Sequence, residues 1–237
     1  MTTAFSSRLG GDTKVARPAV QHMRWLTGGL ALGFLVPFVL ADRLAIPRDL
    51  YYGIYAAVVT AFFALWARST GQSIARLVRR RFALAVALGV LFALLLAATV
   101  VRVDEPTARP GGIELIGAVL WRGVLYGATD GLLLSAFPIL VVFAAFAGSA
   151  VRERFARRVL VVMTALLASL AMTAAYHLGY GDFRSGKVRS PIAGDVAWSV
   201  PTLVTLNPIG APIAHIGVHV AAVLHSYETE LFLPPHA

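Results

Sequence analysis

The sequence contains no cysteine and few charged residues. Because there is no Cys among its 237 residues, disulfide bonds and thiolate metal sites are excluded. Charged residues make up 14% of the chain and hydrophobic residues 58%, whereas a soluble domain has about 25% and about 45–50%. Acidic residues are especially scarce, with 12 Asp and Glu against 21 Lys and Arg. These shortages exclude an ordinary water-soluble protein and indicate one that resides in a bilayer.

The net charge of +9 has two interpretations. In a soluble protein it would suggest binding to nucleic acid. Here the arginines lie mainly in short connectors between apolar runs, with no basic patch interleaved with aromatic residues and no nucleic-acid motif. Loop arginines of this kind commonly fix membrane topology. We therefore expect no nucleic-acid partner, and we expect the lipid bilayer, with anionic lipids at the basic cytoplasmic loops, as the main partner.

Long apolar runs predict an all-α, polytopic transmembrane bundle of about six spans, the last of them interrupted. The run 82–101 has the about 20 residues that are needed to cross about 30 Å of hydrocarbon. A single helix over 113–148 would be about 54 Å long, so we assign 113–126 to the interface and 127–148 to the crossing, with a kink at Pro138. A polar loop is predicted for 181–197. The full set of predicted spans is 25–41, 50–67, 82–101, 127–148, 159–180 and the interrupted 198–225.

The chain is predicted to form one transmembrane domain, residues 25–225, between a basic N-terminal segment, 1–24, and a short C-terminal tail, 226–237. Thirteen of the 21 Lys and Arg residues lie in the N-terminal segment and in connectors 68–81 and 149–158, and seven lie in the three alternate loops. Basic residues accumulate on the cytoplasmic side. With an even number of spans, this distribution predicts a multi-pass protein of the cell membrane with both termini in the cytoplasm.

Ionisable residues inside the apolar runs are the first candidates for function, because each costs several kcal/mol at membrane depth unless it is paired or hydrated. Arg122, Tyr126 and Asp130 fall at positions i, i+4 and i+8 and share one helix face. We therefore consider Arg122 an anion-binding or orienting group of a catalytic site, and Asp130 an acid–base group. The alternative is an Arg–Asp pair that ties two helices together, or an arginine that snorkels to the headgroups.

Three histidines form a candidate metal site. His215 and His219 are four residues apart, so their rings project from one helix face and could grip one ion. His177 follows Thr173 by one turn, and the predicted topology brings His177, His215 and Asp130 to one outer layer. We therefore predict His177, His215 and His219 as ligands of zinc or another divalent metal, with His177 also a candidate acid–base group. The alternative is a helix-packing seam with three separately satisfied histidines.

The segment Asn207–Pro212 interrupts the last apolar run. Two prolines and a glycine lie within these six residues, so we predict non-helical backbone there. Such backbone is tolerated at membrane depth mainly where it is buried in protein or lines a water-filled cavity. The break therefore fits a hydrated active site, the substrate site of a transporter, or a simple turn.

The order of these motifs resembles the CAAX-protease and bacteriocin-processing family of intramembrane proteases. LWRGVLYG at 120–127 resembles the arginine end of that family's paired-glutamate motif, AAYH at 174–177 resembles its histidine motif, and His215-x3-His219 resembles its last motif. The paired catalytic glutamates are absent, since Gly117 and Ala118 stand in their place. The resemblance implies an intramembrane helical bundle related to proteases.

Three functions fit the sequence. The first is a metal-dependent intramembrane hydrolase that acts on a peptide or lipid substrate at an outer-leaflet His/Asp site. The second is a non-catalytic membrane scaffold or a pseudoenzyme. The third is a small-solute transporter that uses the broken last helix as its binding site. Bound metal would favour the first function, and solute flux into liposomes would favour the third.

Overall fold

The computed structural model describes residues 13–147, 155–229 and 231–235, with the backbone alone for 13–18. The N-terminal segment before residue 13 and most of the connector 149–158 lie outside the described residues. Within them the protein is entirely helical, as predicted. The helices, in chain order, are α1 (Thr13–Pro37, continued by a π-helical segment, Phe38–Arg43), α2 (Arg48–Ser69), α3 (Ile74–Arg79), α4 (Phe82–Val103), α5 (Gly112–Ala145), α6 (Phe155–Gly179), α7 (Arg189–Thr205) and α8 (Gly210–His225).

Five of these helices are long and apolar enough to cross a membrane. They are α1 from Ala19 onward, α2, α4, α5 and α6. Many of their large side chains are exposed on the outside of the bundle; Leu94 of α4, for example, is 67% exposed and Leu167 of α6 is 61% exposed. Exposed apolar surface of this kind belongs in contact with lipid. The protein is therefore a multi-pass integral membrane protein.

The helices run between two ends of one bundle. At the first, here named the connector end, the Gln21 side chain donates to the carbonyl oxygen of Ser69 at 3.0 Å. The Asn207 amide nitrogen donates to the carbonyl oxygens of Val78 and Arg80, at 2.7 Å each. The early part of α1, the end of α2, the connector 68–81 and the turn between α7 and α8 therefore meet at this end.

The opposite end, here named the tail end, gathers the remaining connections and the C-terminal tail. Three hydrogen bonds hold it together: Arg184 Nη2 to Asp42 Oδ2 at 3.2 Å, the Thr107 amide to the His225 carbonyl at 3.0 Å, and Arg48 Nε to the Pro235 carbonyl at 2.8 Å. The loops after α1, α4 and α6 are thus on the same side as the segment after α8.

The last hydrophobic stretch folds into a helical hairpin. Helix α7 runs to the connector end, where Leu206 takes a left-handed conformation with φ 53°, and α8 begins at Gly210 and returns. The Trp198 and His215 rings, one from each arm, lie 4.6 Å apart between centroids. The predicted break is confirmed at residues 206–209, although Pro212 already belongs to the first turn of α8. Residues that we assigned to one interrupted span therefore make two passes.

The hairpin changes the topology. Every helix except α3 passes between the two ends, which gives seven passes within the described residues where the sequence predicted six. The early part of α1 lies at the connector end and the described tail lies at the tail end, so these two parts of the chain are at opposite ends of the bundle. That both termini are cytoplasmic stays a prediction, because the terminal residues lie outside the described ranges. His225, the last residue of α8, lies at the tail end, where its Nε2 is 3.0 Å from the Asp104 carbonyl oxygen.

Helix α5 occupies the centre of the bundle. We divided it at residue 126, but it is one continuous helical path that includes π-helical segments at Val119–Leu125 and Gly131–Ala136. Of the five long apolar helices it is the most enclosed, with 72% of its most apolar 18-residue window buried. A helix surrounded by protein can exceed the hydrocarbon thickness because its ends contact other elements as well as lipid.

The prediction of a polar loop over 181–197 is wrong. This segment contains a 3₁₀ turn and half of α7.

Helix α8 lies in a groove on α5 that is made by three glycines at four-residue spacing. A Cβ atom on each would approach α8 too closely: Gly123 at 2.8 Å from Val220 Cγ2, Gly127 at 2.9 Å from Ile216 Cα and Gly131 at 2.5 Å from Pro212 Cα. Small residues at this spacing let two membrane helices approach closely. Because of this groove, α8, which carries His215 and His219, packs directly against the face of α5 that carries Asp130.

Candidate metal centre

Asp130, His215 and His219 converge in the interior of the bundle. One potential ligand atom from each lies within 4.8 Å of the other two. The three residues are 3%, 2% and 5% exposed, and Asp130 Oδ2 is 3.3 Å from His219 Nε2. A carboxylate with two imidazoles is a ligand set of catalytic zinc and of non-haem iron. These residues can therefore hold one divalent metal ion.

The second oxygen of the Asp130 carboxylate, Oδ1, is buried and accepts no hydrogen bond of ordinary geometry among the described residues. The hydroxyl of Tyr55 is the side-chain donor beside this carboxylate. A buried acceptor without a well-placed donor costs about 1–3 kcal/mol, and more when it is charged. A cation beside the carboxylate would offset that cost, so the poorly paired oxygen is consistent with a ligand at this position. Asp130 therefore points into the bundle and away from lipid.

His219 is oriented by the C-terminal tail. Its Nδ1 is 2.7 Å from the carbonyl oxygen of Phe232. Because a carbonyl can only accept, Nδ1 carries the proton and Nε2 keeps its lone pair on the side of Asp130. Metal-binding histidines almost always donate their second ring nitrogen in this way, which fixes both the tautomer and the ring orientation.

A cluster of buried hydroxyls around Asp195 supports His215. Ser135 Oγ donates to Asp195 Oδ1 at 2.7 Å and lies 3.3 Å from Nε2 of His215. Ser169 donates to Oδ2 at 2.7 Å, and Ser199 donates to Oδ1 at 3.2 Å. In the tautomer with the proton on Nε2, His215 donates to Ser135 and keeps the Nδ1 lone pair for an ion. Asp195, which the sequence analysis left in a loop, is thus linked to the candidate ligand through one serine.

His177 lines the same cavity as the three candidate ligands but lies outside their group. Its Nδ1 is 2.8 Å from the carbonyl oxygen of Thr173, so Nδ1 carries the proton and Nε2 is an acceptor. The contact of His177 with Thr173, one turn earlier, is thus made through the backbone of Thr173. The compact group of candidate ligands therefore consists of Asp130, His215 and His219. His177, which we predicted as a metal ligand, is not a member of this group.

Arg122 lies away from the candidate metal centre. Its Nε and Nη2 donate to the two carboxylate oxygens of Asp49, at 2.8 Å each, and its guanidinium stands 4.8 Å above the centre of the Tyr227 ring. It therefore pairs with the first turn of α2 at the tail end instead of with Asp130. The shared helix face that we predicted does not produce a pair, because Asp49 offers the guanidinium a bidentate partner nearer the surface.

A cavity of about 280 Å³ adjoins the three candidate ligands. Its walls come from the second half of α4, the middle of α5, the end of α6, the first half of α7, the middle of α8 and the tail. It therefore lies in the tail-end half of the bundle. Asp130, His177, His215, His219 and Tyr126 all contribute to its lining.

A buried cluster of tyrosines packs behind Asp130 and His219. It includes six of the seven tyrosines in the chain: Tyr51, Tyr52, Tyr55, Tyr126, Tyr176 and Tyr180. The Tyr180 hydroxyl is hydrogen-bonded to the hydroxyls of Tyr51 and Tyr176, at 2.7 Å each, and donates to one of them. The Tyr126 ring meets the His219 ring edge-on at 4.7 Å. The sequence analysis missed this cluster, since its members come from α2, α5, α6 and the residue after α6.

Comparison of the chain with protein-family models, with curated proteins and with solved structures gave no match. The resemblance to the intramembrane protease family therefore stays a prediction. The features of the molecule that bear on function are the arrangement of Asp130, His215 and His219 and the cavity beside them.

Proposed function

We propose that the protein is a membrane-embedded, metal-dependent hydrolase that holds zinc with Asp130, His215 and His219. The observation that carries this proposal is the grouping of one carboxylate oxygen and two imidazole nitrogens within 4.8 Å, buried and beside a cavity. A catalytic zinc takes three nitrogen or oxygen ligands and keeps one position open for water. When bound, such an ion lowers the pKa of its water toward about 7.

The residues around the candidate ligands support distinct roles. The acceptor nitrogen of His177 borders the same cavity, so His177 is suited to take a proton from water during hydrolysis. Asp195, acting through Ser135, and the Phe232 carbonyl hold the two ligand histidines in orientation. Arg122 has no part in this proposal, because its guanidinium is committed to Asp49.

The two other functions have less support. A scaffold gives no reason for a buried carboxylate oxygen without a well-placed donor next to two histidines. The transporter hypothesis relied on the broken helix as a binding site. The break is a turn at the connector end, filled by protein contacts such as those of the Asn207 amide with the carbonyls of Val78 and Arg80.

Metal content is the first test of the proposed function. We expect about one zinc ion per chain in protein purified in detergent, and its loss in Asp130→Asn and in His219→Ala. Removal even of an outer partner of a ligand weakens metal binding about 10- to 100-fold, so removal of a ligand should weaken it further. Arg122→Ala and His177→Ala should keep the metal, since neither residue belongs to the ligand group. Elemental analysis and zinc titration measure the difference.

Hydrolysis of a fluorogenic acyl ester is the second readout. Chelation should abolish it and zinc should restore it, whereas His177→Ala should lower the rate by about 10²- to 10⁴-fold with the metal retained. Equal hydrolysis with and without metal would contradict the proposal. A wild-type protein that binds no divalent metal would favour the scaffold, and stoichiometric iron would indicate oxygen chemistry in place of hydrolysis.

A further inference from the structure

The cavity beside the candidate ligands is polar at one wall and apolar over most of the rest. Leu96 of α4, Leu134 of α5, Val218 of α8 and Phe232 of the tail contribute apolar side chains. The ionisable residues of its lining come from neighbouring stretches of α5, α6 and α8; they are Tyr126, Asp130, His177, His215 and His219. A ligand that matches this lining has one polar group attached to a hydrocarbon body.

The cavity opens sideways between α4 and α7. Four of its lining residues are themselves exposed: Thr99 and Val103 on α4, and Ser190 and Ala193 on α7. Toward the middle of the bundle the neighbouring surface is apolar, because Leu95 of α4 is 55% exposed and Val196 of α7 is 46% exposed. Toward the tail end the exposed Arg102 and Arg189 border the opening. The opening therefore lies at the tail-end edge of the surface that lipid surrounds.

The tail covers the cavity at the tail end. Leu231, Phe232 and Pro234 belong to its lining, and the Phe232 carbonyl is bonded to His219. The tail lies on this side of the cavity, and the turn of the helical hairpin lies at the other end of the bundle. A ligand would therefore enter the cavity through the opening between α4 and α7.

A polypeptide substrate does not match the cavity. Each residue of an entering peptide would bring an N–H and a C=O group, and each such group costs several kcal/mol in an apolar setting without a partner. At about 280 Å³ the cavity is also at the lower limit of small-molecule sites, which hold about 300–1,000 Å³. A single-chain lipid avoids both problems, since most of its length can stay in the bilayer.

We infer that the substrate of the proposed hydrolase is a single-chain membrane amphiphile, an ester or amide of a long-chain acid, that enters through the opening between α4 and α7. Its carbonyl group lies against Asp130, His215 and His219, and its hydrocarbon chain extends past Ala193 into the lipid. Water supplies a hydroxyl group to the acyl carbon, the acyl–oxygen or acyl–nitrogen bond breaks, and the leaving alcohol or amine takes up a proton. This inference rests on the proposed function for the reaction, but the binding of the amphiphile can be tested without it.

Photolabelling tests the binding step. The probe is a long-chain fatty amide with a diazirine in its chain, added to the full-length protein in lipid nanodiscs. We expect labelled peptides from the second half of α4 and the first half of α7. Ala193→Trp, which fills the opening, should reduce the labelling about tenfold. Val196→Trp is the matched control, because Val196 is an exposed residue of the same helix outside the cavity lining, and it should leave the labelling unchanged.

A second pair of variants covers the case in which Ala193→Trp does not fold. Thr99→Trp fills the opening from α4, and Leu95→Trp is its exposed control on the same helix. Labelling that is unaffected by both filling variants, or that is lowered equally by their controls, would overturn the inference.

Zinc content, measured on the same samples, separates this inference from the proposed function. Lost labelling with retained zinc in Ala193→Trp supports the lateral route. Labelling of the cavity in a wild-type protein that binds no metal would support the amphiphile site and refute the hydrolase. Bound zinc without labelling of the cavity would refute the amphiphile and leave the hydrolase standing.

Discussion

Asp195 is a carboxylate with no exposed surface, enclosed by hydroxyl groups on α5, α6 and α7. The serines at 135, 169 and 199 all donate to it. Hydrogen bonds to a charged acceptor contribute about 1.5–3 kcal/mol, roughly twice those between neutral groups. This residue therefore fastens three helices together and also fixes the serine that meets His215.

Substitution of Asp195 separates these two effects. Asp195→Asn removes the charge at constant shape, and we expect it to lower the free energy of unfolding by about 1.5–3 kcal/mol. Because His215 loses its support through Ser135, zinc affinity should also fall by about 10- to 100-fold. Thermal unfolding in detergent and zinc titration measure the two quantities.

Asp182→Asn is the control for this experiment, since Asp182 is an exposed acidic residue of the preceding 3₁₀ turn. It should change the stability by no more than about 0.5 kcal/mol. A loss of stability in Asp195→Asn with unchanged zinc affinity would limit Asp195 to a purely structural role.

At the scale of helices, the contact between α5 and α8 decides whether the site forms. Gly123, Gly127 and Gly131 leave room for α8, and Gly217 of α8 lies equally close to Ala93 of α4, where an added Cβ would be 2.4 Å from the alanine Cβ. Helix α8 is therefore held on two sides by backbone-to-backbone contact. The histidines cannot reach Asp130 if either contact is widened.

Gly131→Ala tests this packing. The new methyl would lie 2.5 Å from the Pro212 Cα, which is backbone and cannot rotate away. Overpacking of this kind costs about 1–3 kcal/mol, and the displaced α8 should also bind zinc more weakly. Gly117→Ala, in an open position of the same helix, should have no comparable effect on either quantity. Equal melting temperatures for the two variants would show that the groove tolerates a wider separation.

The sequence was informative where one physical signal dominates. The apolar runs of α2 and α4 predicted their bounds to within two residues, and the His215–His219 spacing placed both rings on one face. Helix α7 was missed because Lys187, Arg189 and Asp195 made its first half look like a solvated loop. The Asp195-x3-Ser199 spacing was the available sign of a helix with a polar inner face.

The partner of Arg122 and the turn at 206–209 depend on long-range contacts that a single sequence does not show. Asp49 and Arg122 are 73 positions apart, and nothing local relates them. Two prolines marked the break correctly, but a proline kink and a reversal of direction have the same local signature. The glycine spacing at 123, 127 and 131 was a usable signal, since three small residues in register indicate close helix packing.

At the scale of the whole molecule, seven passes between the two ends of the bundle predict that the loop after α4 and the C-terminal tail lie on one side of the membrane. The absence of native cysteine makes this directly testable. Three exposed positions serve as single-cysteine sites: Ser73 in the connector, Glu105 after α4 and Glu228 in the tail. We expect an impermeant maleimide to label positions 105 and 228 from one face of sealed vesicles and position 73 from the other.

The labelling also tests the hairpin of α7 and α8. If that stretch made only one pass, position 228 would be labelled from the same face as position 73. Vesicles opened with detergent are the control, because all three cysteines should then react. Joint labelling of positions 73 and 228 in sealed vesicles would contradict the seven-pass arrangement.

The position of α8 has a consequence for the order of events during synthesis. The 85 residues that separate Asp130 from His215 take about 4–17 s to translate at about 5–20 residues per second. During that interval the carboxylate of Asp130 has neither histidine beside it, and an isolated charge at that depth is strongly unfavourable. We therefore expect α5 to stay near the insertion machinery until α8 has been made. The three candidate ligands meet only after α8 has entered the glycine groove, so loading of the proposed metal would be among the last steps in the maturation of the protein.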